Sequence, residues 1–136
     1  MKRVTGLGGV FFKCNDPEKM KRWYRLHLGI ESDQYGATFE WMDPDGHQEK
    51  CYTAWSPFSR DTKYFHPSEK PFMFNYRVDD LEALLEALRK EGVEVVGNVE
   101  EFEYGKFAWI MDPEGNKIEL WQPVDKNLKK ETTDGA

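Results

Sequence analysis

The stretch Tyr104–Trp121, YGKFAWIMDPEGNKIELW, decides the fold prediction for this chain because part of it occurs twice. Its centre, FAWIMDPEG at 107–115, is an edited copy of FEWMDPDG at 39–46, and a Trp-X-Pro tripeptide follows each copy, at 55–57 and 121–123. Upstream of each copy lie an apolar run, an Asp and a helix-like segment that ends in Gly. A repeat of roughly 65 residues is too long for a solenoid unit and predicts two related supersecondary modules that pack together.

Module one, about residues 5–57, is predicted to run strand, helix and three strands. The apolar run Leu7–Cys14, bounded by glycines, predicts the first strand. Asp16 and Pro17 are a typical helix start, with Asp as N-cap and Pro at the first helical position, and Gly29 is a typical helix end. The apolar stripe of this helix is predicted to be Met20, Trp23, Tyr24 and His27. Three strands are predicted after it, at residues 31–35, 37–42 and 50–55, with a turn at Asp43–Gly46.

Module two, about residues 72–123, repeats this plan. Phe72–Val78 predicts its first strand, and Asp79–Gly92 predicts the clearest helix in the chain. Asp79 and Glu82 stand at the spacing of a capping box at the start of that helix. The apolar stripe of the helix is predicted to be Leu81, Leu84, Leu85 and Leu88. Three strands are predicted after the helix, at residues 93–101, 104–111 and 117–121.

The segment that joins the modules, residues 58–71, is called the linker below. It is long for a connection and carries Tyr64, Phe65 and His66. Long loops of this kind are often functional, although this one could equally wrap a core. The polar tail, residues 124–136, is expected to be flexible, and the 136-residue chain is expected to form a single domain.

Composition limits the classes of partner. The net charge of −6 argues against nucleic acid or an anionic membrane surface as a partner. No apolar run approaches the ~20 residues that span a bilayer, and the N-terminus lacks the apolar region of a secretory signal. Two cysteines are too few for a disulfide framework. We therefore expect a cytoplasmic protein that acts on a small molecule.

Two βαβββ modules with a DPEGNKIELW ending resemble the vicinal oxygen chelate superfamily, which includes glyoxalase I, the bleomycin-resistance proteins and the extradiol dioxygenases. The resemblance covers Leu7–Pro123, with weaker support from Tyr24–Gly29 and Arg77–Leu81. It implies an α+β fold in which two tandem βαβββ modules form a cup-shaped, partly closed mixed β-sheet with the helices outside. Because members of this superfamily commonly pair modules across subunits, it also implies a homodimer.

The resemblance further implies where a metal would be held, because metal-using members take two ligands from each module, on its first and last strands. The matching positions here are Gly9, Thr53, Met73 and Glu119. Only Glu119 is a good ligand for a divalent cation, so no cofactor and no family metal site are predicted. If the strand register differed by one residue, other side chains would face the cavity, so a divalent metal held by different ligands is the alternative. The candidate substitute ligands are His27, His47 and His66, none of which has metal-site spacing to another.

Strand alternation from these positions predicts the side chains that face the cavity. A few polar groups among aromatic walls are typical of a small-molecule site. In this interpretation Glu119 is the catalytic candidate, although it could simply pair with Lys13 or Arg77 inside a polar interior. The predicted ligand-binding residues are Phe11, Lys13, Thr53, Trp55, Met73, Asn75, Arg77, Trp109 and Trp121.

Three functions remain open from the sequence. The first is a metal-free protein of the bleomycin-resistance type that binds a flat or aromatic ligand, with Lys13 and Arg77 meeting an anionic group. The second is a metal-free, isomerase- or epimerase-like enzyme in which Glu119 is a general base with a raised pKa. The third is a divalent-metal glyoxalase or dioxygenase with displaced ligands. No residue decides between the first two hypotheses, but we rank small-molecule binding first because catalysis needs an additional acid or oxyanion partner.

Overall fold

The computed structural model describes residues 2–44 and 50–124, and these residues form two helices and seven strands. The elements in chain order are β1 (Val4–Cys14), α1 (Pro17–Leu28), β2 (Ala37–Met42), β3 (Lys50–Ser59), β4 (Phe72–Val78), α2 (Leu81–Lys90), β5 (Val95–Phe102), β6 (Gly105–Met111) and β7 (Lys117–Pro123). The second half of the predicted Asp43–Gly46 turn and residues 125–136 of the predicted flexible tail lie outside the described residues.

All seven strands belong to one mixed sheet with the order β2-β3-β1-β4-β7-β6-β5. Each half contributes one parallel pair, β1 with β3 and β4 with β7, and the two halves meet where β1 runs antiparallel to β4. Strands β2 and β5 are the two edges, so the sheet is not closed into a barrel. The α+β prediction of a partly closed mixed sheet built from two related modules is confirmed.

Both helices begin and end for reasons visible in the sequence. Asp16 caps α1 by accepting a hydrogen bond from the Lys19 amide, and Gly29 ends the helix in the left-handed conformation with φ of 70°. In α2 the prediction of Asp79 as the cap is wrong by one residue. Asp80 has the extended backbone of an N-cap, and its side chain accepts from the Ala83 amide.

The predicted strand at residues 31–35 does not form, so module one runs βαββ in the described residues. Asp33 prevents an extended conformation there, because its carboxylate accepts from the amides of Tyr35 and Gly36 and its own amide donates to the Gly36 carbonyl. Such side-chain bonds stabilise a turn in place of a ladder. Residues 31–35 therefore form a turn and do not add an edge strand to the sheet.

The convex face of module two is covered more completely than that of module one. Leu81, Leu84 and Leu85 of α2 are buried with Leu120 and Val78 in one apolar cluster. Helix α1 is mostly exposed: its predicted stripe includes Trp23, which remains 50% exposed and packs at a tilt against His27 with a centroid distance of 4.8 Å. In the described part of the chain no helix is long and apolar enough to cross a membrane.

Candidate functional site

Strand register places Glu119 at the middle of the concave face. Along β7, Lys117, Glu119 and Trp121 alternate onto this face, and Asn75 of β4 lies directly opposite Glu119. Gly9 of β1 lies opposite Asn75 in turn. The carboxylate is therefore close to the seam where the two halves meet.

The Glu119 side chain is only 2% exposed, and three donors hold it. Asn75 Nδ2 donates to Oε1 at 2.6 Å, whereas Trp109 Nε1 donates to Oε2 at 2.9 Å. The Tyr64 hydroxyl also donates to Oε2. Burial raises the pKa of the Glu119 carboxyl above its ordinary value, while these donors and nearby Lys117 oppose that rise by stabilising the charged form.

Lys117 fixes the linker against Glu119. Its Nζ donates to the Tyr64 carbonyl at 2.8 Å and lies 5.4 Å from the Tyr64 ring centroid and 5.5 Å from that of Trp109. Burial lowers the pKa of Lys117, opposed by the negative charges of Glu119 and Glu100. The pKa of the Tyr64 hydroxyl is strongly raised, first by burial and then by the Glu119 charge, so the phenol stays protonated as a donor.

The linker fills the concave face on one side of Glu119. Phe65 and Met73 are both fully buried and pack with Phe11 and Trp109 in a second apolar cluster. Phe58 packs against this cluster, and its ring stacks on Tyr64 at a centroid distance of 5.8 Å. This part of the molecule, where the linker packs into the sheet, is called the linker end below.

On the other side of Glu119 the concave face is open and forms a cavity of about 530 Å³. This volume lies within the range of ~300–1,000 Å³ that accommodates drug-sized ligands. We call this side the open end. Its described lining residues are Gly8, Phe11, Tyr35, Thr38, Tyr52, Ala54, Asn75, Tyr104, Phe107, Glu119 and Trp121.

Asn75 connects Glu119 with the cavity wall at Gly8. Its Nδ2 is taken by Glu119, whereas its Oδ1 is buried and has no hydrogen-bond partner among the described residues. A Cβ atom at position 8 would lie 2.0 Å from this Oδ1 and 3.1 Å from Cγ of Arg77. Only glycine at position 8 leaves Asn75 its present place.

The structure brings most of the predicted site residues together. Phe11, Asn75 and Trp121 line the cavity with Glu119, and Trp109 is bonded to Glu119 from the linker end. Met73 faces the concave side as expected, but it is buried in the linker-end cluster and does not line the cavity. These placements leave the functional roles of the residues as predictions.

The two predicted cations do not line the cavity. Lys13 Nζ lies 5.6 Å from the ring centroid of Phe65, at the linker end. Arg77 is 3% exposed, donates to the Tyr52 carbonyl at 3.3 Å, and lies 5.1 Å and 5.5 Å from the ring centroids of Trp121 and Trp41. Arg77 therefore lies on the same face of β4 as Asn75, but protein groups surround its guanidinium.

The predicted cavity-facing set on β3 is wrong by one residue. Tyr52 and Ala54 line the cavity, so Thr53 and Trp55 point to the other face. Thr53 Oγ1 donates to the Leu7 carbonyl at 2.6 Å and accepts from Trp41 Nε1 at 2.8 Å. Trp55 packs on Tyr24 of α1 and on Phe12, with centroid distances of 4.8 Å and 5.4 Å. Trp55 is a packing residue between sheet and helix.

Several functional candidates were not predicted from the sequence. Tyr52 and Phe107 could have been found with the correct facing of β3 and β6. Tyr64 was noted only as an aromatic residue of the linker. Its contact with Glu119 has no periodic signal, because it depends on how the linker folds back over 55 residues of chain separation.

Comparisons with known proteins agree with this fold. Residues 6–120 match the Glyoxalase/Bleomycin resistance protein/Dioxygenase superfamily. The chain belongs to this superfamily. No curated protein sequence matches it.

Solved structures similar to this chain include two epimerases and a glyoxalase. Methylmalonyl-CoA epimerase from Mycobacterium tuberculosis has a TM-score of 0.58 at 23% identity, with 93% of each chain covered. A Streptomyces coelicolor methylmalonyl-CoA epimerase variant in complex with 2-nitronate-propionyl-CoA has a TM-score of 0.63 at 17% identity, covering 89% of this chain and 99% of that one. The Mn(II)-bound glyoxalase from Novosphingobium aromaticivorans has a TM-score of 0.61 at 19% identity, covering 91% and 40%.

The residues around Glu119 do not fit a divalent metal of the kind held by that glyoxalase. Both carboxylate oxygens receive N–H or O–H donors, whose protons point to where a cation would bind. The neighbouring positions across the ladder are Asn75, Gly9 and Ala54, which supply no charged ligand. Within residues 2–44 and 50–124, no three His, Cys, Asp or Glu side chains are grouped to hold a metal.

The histidine substitutes do not change this result for the described residues. His27 packs against Trp23 at the exposed face of α1, and His66 is an exposed residue of the linker. His47 lies outside the described residues.

Proposed function

We propose that this protein binds a small planar molecule in the open-end cavity without a resident metal, as a binding protein of the glyoxalase/bleomycin-resistance type. The proposal rests on the hydrogen bonds that hold Glu119. Its carboxylate is fully buried, and protein donors occupy both oxygens. The residue that would be a metal ligand or a base is thus fixed in the wall, and the ligand meets mainly aromatic surface.

The second candidate is a metal-free, epimerase-like enzyme with Glu119 as general base. Two observations favour it: burial raises the pKa of Glu119, and methylmalonyl-CoA epimerases are among the structural neighbours. A base must reach the proton that it removes within about 3.2 Å. Glu119 could do so after one of its donors moves aside, and Asn75 is the donor on the cavity side.

A ligand screen with a turnover assay separates these two candidates. The indole N–H signal of Trp121 in nitrogen-15 NMR spectra reports on the cavity wall, and we expect it to shift with planar aromatic fragments. Signals from Trp23, on the exposed face of α1, serve as the internal control. Shifts of Trp23 without shifts of Trp121 would contradict binding in the cavity.

Turnover is tested by following deuterium uptake into methylmalonyl-CoA, the substrate named for the neighbouring epimerases, in D₂O. We expect no exchange above the uncatalysed rate. Exchange by the wild-type protein that disappears in Glu119→Gln would favour the enzyme hypothesis. Exchange that persists in Glu119→Gln would contradict the role of Glu119 as the base.

The absence of a resident metal is tested by elemental analysis of untagged protein after incubation with Mn²⁺, Zn²⁺, Ni²⁺ and Fe²⁺. We expect no stoichiometric metal for wild type or for Glu119→Gln. One equivalent that binds to wild type and is lost in Glu119→Gln would overturn the metal-free assignment.

We also propose a homodimer, on the basis of the superfamily resemblance and of exposed apolar side chains. Leu26 and Leu28 of α1 are 76% and 60% exposed, and Phe74 of the central strand β4 is 38% exposed. Apolar surface of this kind is common where subunits meet. Sedimentation equilibrium at micromolar concentration should give twice the 16.0 kDa chain mass, and a monomer at these concentrations would contradict the proposal.

A further inference from the structure

The open-end cavity is a cage of aromatic rings. Each half of the chain contributes three rings to its lining. Module one supplies Phe11, Tyr35 and Tyr52, and module two supplies Tyr104, Phe107 and Trp121. Two of the module-two rings, Phe107 and Trp121, stack on each other at 5.8 Å with an interplanar angle of 7°. Aromatic faces carry negative charge density and attract cations.

The charge that lines this cage is negative. Among the described lining residues, Glu119 is the only charged side chain. Glu100 of the edge strand β5 pairs with Phe107, so its side chain lies on the same face of the sheet, and it acts electrostatically on Tyr64 and Lys117. A buried charge such as that of Glu119 acts strongly because the surrounding dielectric is low, whereas Glu100 is exposed.

Three basic residues of the site region contact other protein groups and do not line the cavity. Lys117 Nζ is bonded to the Tyr64 carbonyl on the linker side of Glu119. Lys13 lies over the Phe65 ring, and Arg77 donates to the Tyr52 carbonyl. These contacts are with neutral groups, so the three side chains keep their positive charges, but none of them lines the cavity, where an anionic ligand would meet aromatic faces and a carboxylate.

We propose that the ligand of this cavity is a planar aromatic cation, held by the ring faces of both modules and by the negative charge of Glu119. This inference rests on the proposed binding function and adds the chemical class of the ligand. It replaces the anionic ligand that Lys13 and Arg77 indicated in the sequence.

Three probes with the same ring system and different charge test the proposal: N-methylquinolinium, quinoline and quinoline-2-carboxylate. Isothermal titration calorimetry at neutral pH should give an affinity for the cation ~10-fold or more above that for quinoline, with the carboxylate weakest. Binding of quinoline or of the carboxylate as tightly as the cation would overturn the ligand class and leave cavity binding intact. Failure of all three probes to bind would overturn both the ligand class and the proposed function.

Two variants test the source of the preference. Glu119→Gln should lose most of the preference for N-methylquinolinium over quinoline, whereas Glu82→Gln should keep it. Glu82 is a matched control because it makes the same charge change on the convex side, where it faces Lys106 at 3.5 Å. A preference that survives in Glu119→Gln, or falls equally in Glu82→Gln, would overturn the assigned role of Glu119.

A third variant keeps the proposal testable if Glu119→Gln does not fold. Tyr104→Leu removes one ring at the cavity and leaves the backbone carbonyl that accepts from Trp121 Nε1 at 2.9 Å. It should weaken binding of the cation by more than it weakens binding of quinoline. Equal weakening of both probes would contradict cation recognition by the rings.

Discussion

The linker end and the open end are two parts of one concave surface, separated by Glu119. At the linker end the chain itself fills the cup, with Phe65 and Met73 completely buried. At the open end six rings line an unfilled cavity, and Tyr35 at the mouth remains 75% exposed. Both ends are aromatic. They differ in whether the aromatic surface is covered by the protein or left for a ligand.

The difference teaches how one fold separates stability from binding. Apolar surface that is covered within the chain contributes to the free energy of unfolding, whereas apolar surface left open can contribute only when a ligand covers it. Glu119 belongs to both ends: Oε2 is bonded toward the linker through Tyr64, and Oε1 is bonded to Asn75 of the cavity wall. Substitutions at the linker end should therefore change mainly the free energy of unfolding, and substitutions at the open end mainly ligand binding.

The largest expected effect is on stability at the linker end. Phe65→Ala removes a fully buried ring and should lower the free energy of unfolding by ~3–5 kcal/mol, because it leaves a cavity in the cluster. Tyr35→Ala at the open end should change it by at most ~0.5 kcal/mol. Urea unfolding followed by circular dichroism measures both. Equal losses would erase the distinction between the two ends.

Gly8→Ala should have an intermediate effect, because its Cβ would collide with the Asn75 amide at the boundary between the ends. We expect a loss of ~1–3 kcal/mol in the free energy of unfolding, typical of overpacking. The same substitution in an Asn75→Ala background should cost clearly less, since the colliding atom is gone. An unchanged cost in the double variant would place the strain elsewhere, with Arg77 Cγ as the next neighbour.

The smallest expected effect is a pH dependence that originates at Glu119. Its pKa is raised in the folded state, so the folded protein retains a proton that the unfolded chain releases near the ordinary value of 4.5. The free energy of unfolding of wild type, relative to Glu119→Gln, should fall as pH rises from about 4.5 through the folded-state pKa, and then stay constant.

Glu91→Gln is the matched control for this pH effect. The hydrogen bond from Arg3 lowers the pKa of Glu91 at the surface, so the sign is reversed. Wild type should gain stability relative to Glu91→Gln as pH rises through that lowered value toward 4.5. Parallel slopes for the two variants in urea titrations over this range would contradict the assignment of the raised pKa to Glu119.

The fold could be predicted from the sequence because the signals that specify it are local and repeated. The Asp16 cap, the Gly29 end and the duplicated DP(D/E)G turn each act through neighbouring backbone groups. Alternation also placed Phe11, Asn75 and Trp121 on the concave side correctly, because those strands keep a period of two.

The facing of β3 and the contacts of the linker could not be predicted without three-dimensional information. Trp55 and Trp121 occupy the same position in the two Trp-X-Pro tripeptides, but their side chains lie on different faces of the sheet. Trp55 pairs with Val10, whose side chain faces the helix side of β1, so Trp55 faces that side too. Counting by two also fails near Leu7, where irregular pairing between β1 and β4 shifts the register. The Tyr64 contact with Glu119 depends on linker packing, for which no sequence period exists.

Lys117 and Phe65 hold a segment that lies between β3 and β4 and outside the strand ladders, and this segment covers the concave face on one side of Glu119. The share of the concave face that stays open is thus set separately from the hydrogen-bond ladders that form the sheet. A joining segment of different length would cover a different share of this face while every strand kept its register. In this architecture the two copies specify the curved sheet, and the unduplicated segment between them determines which part of its concave face is covered.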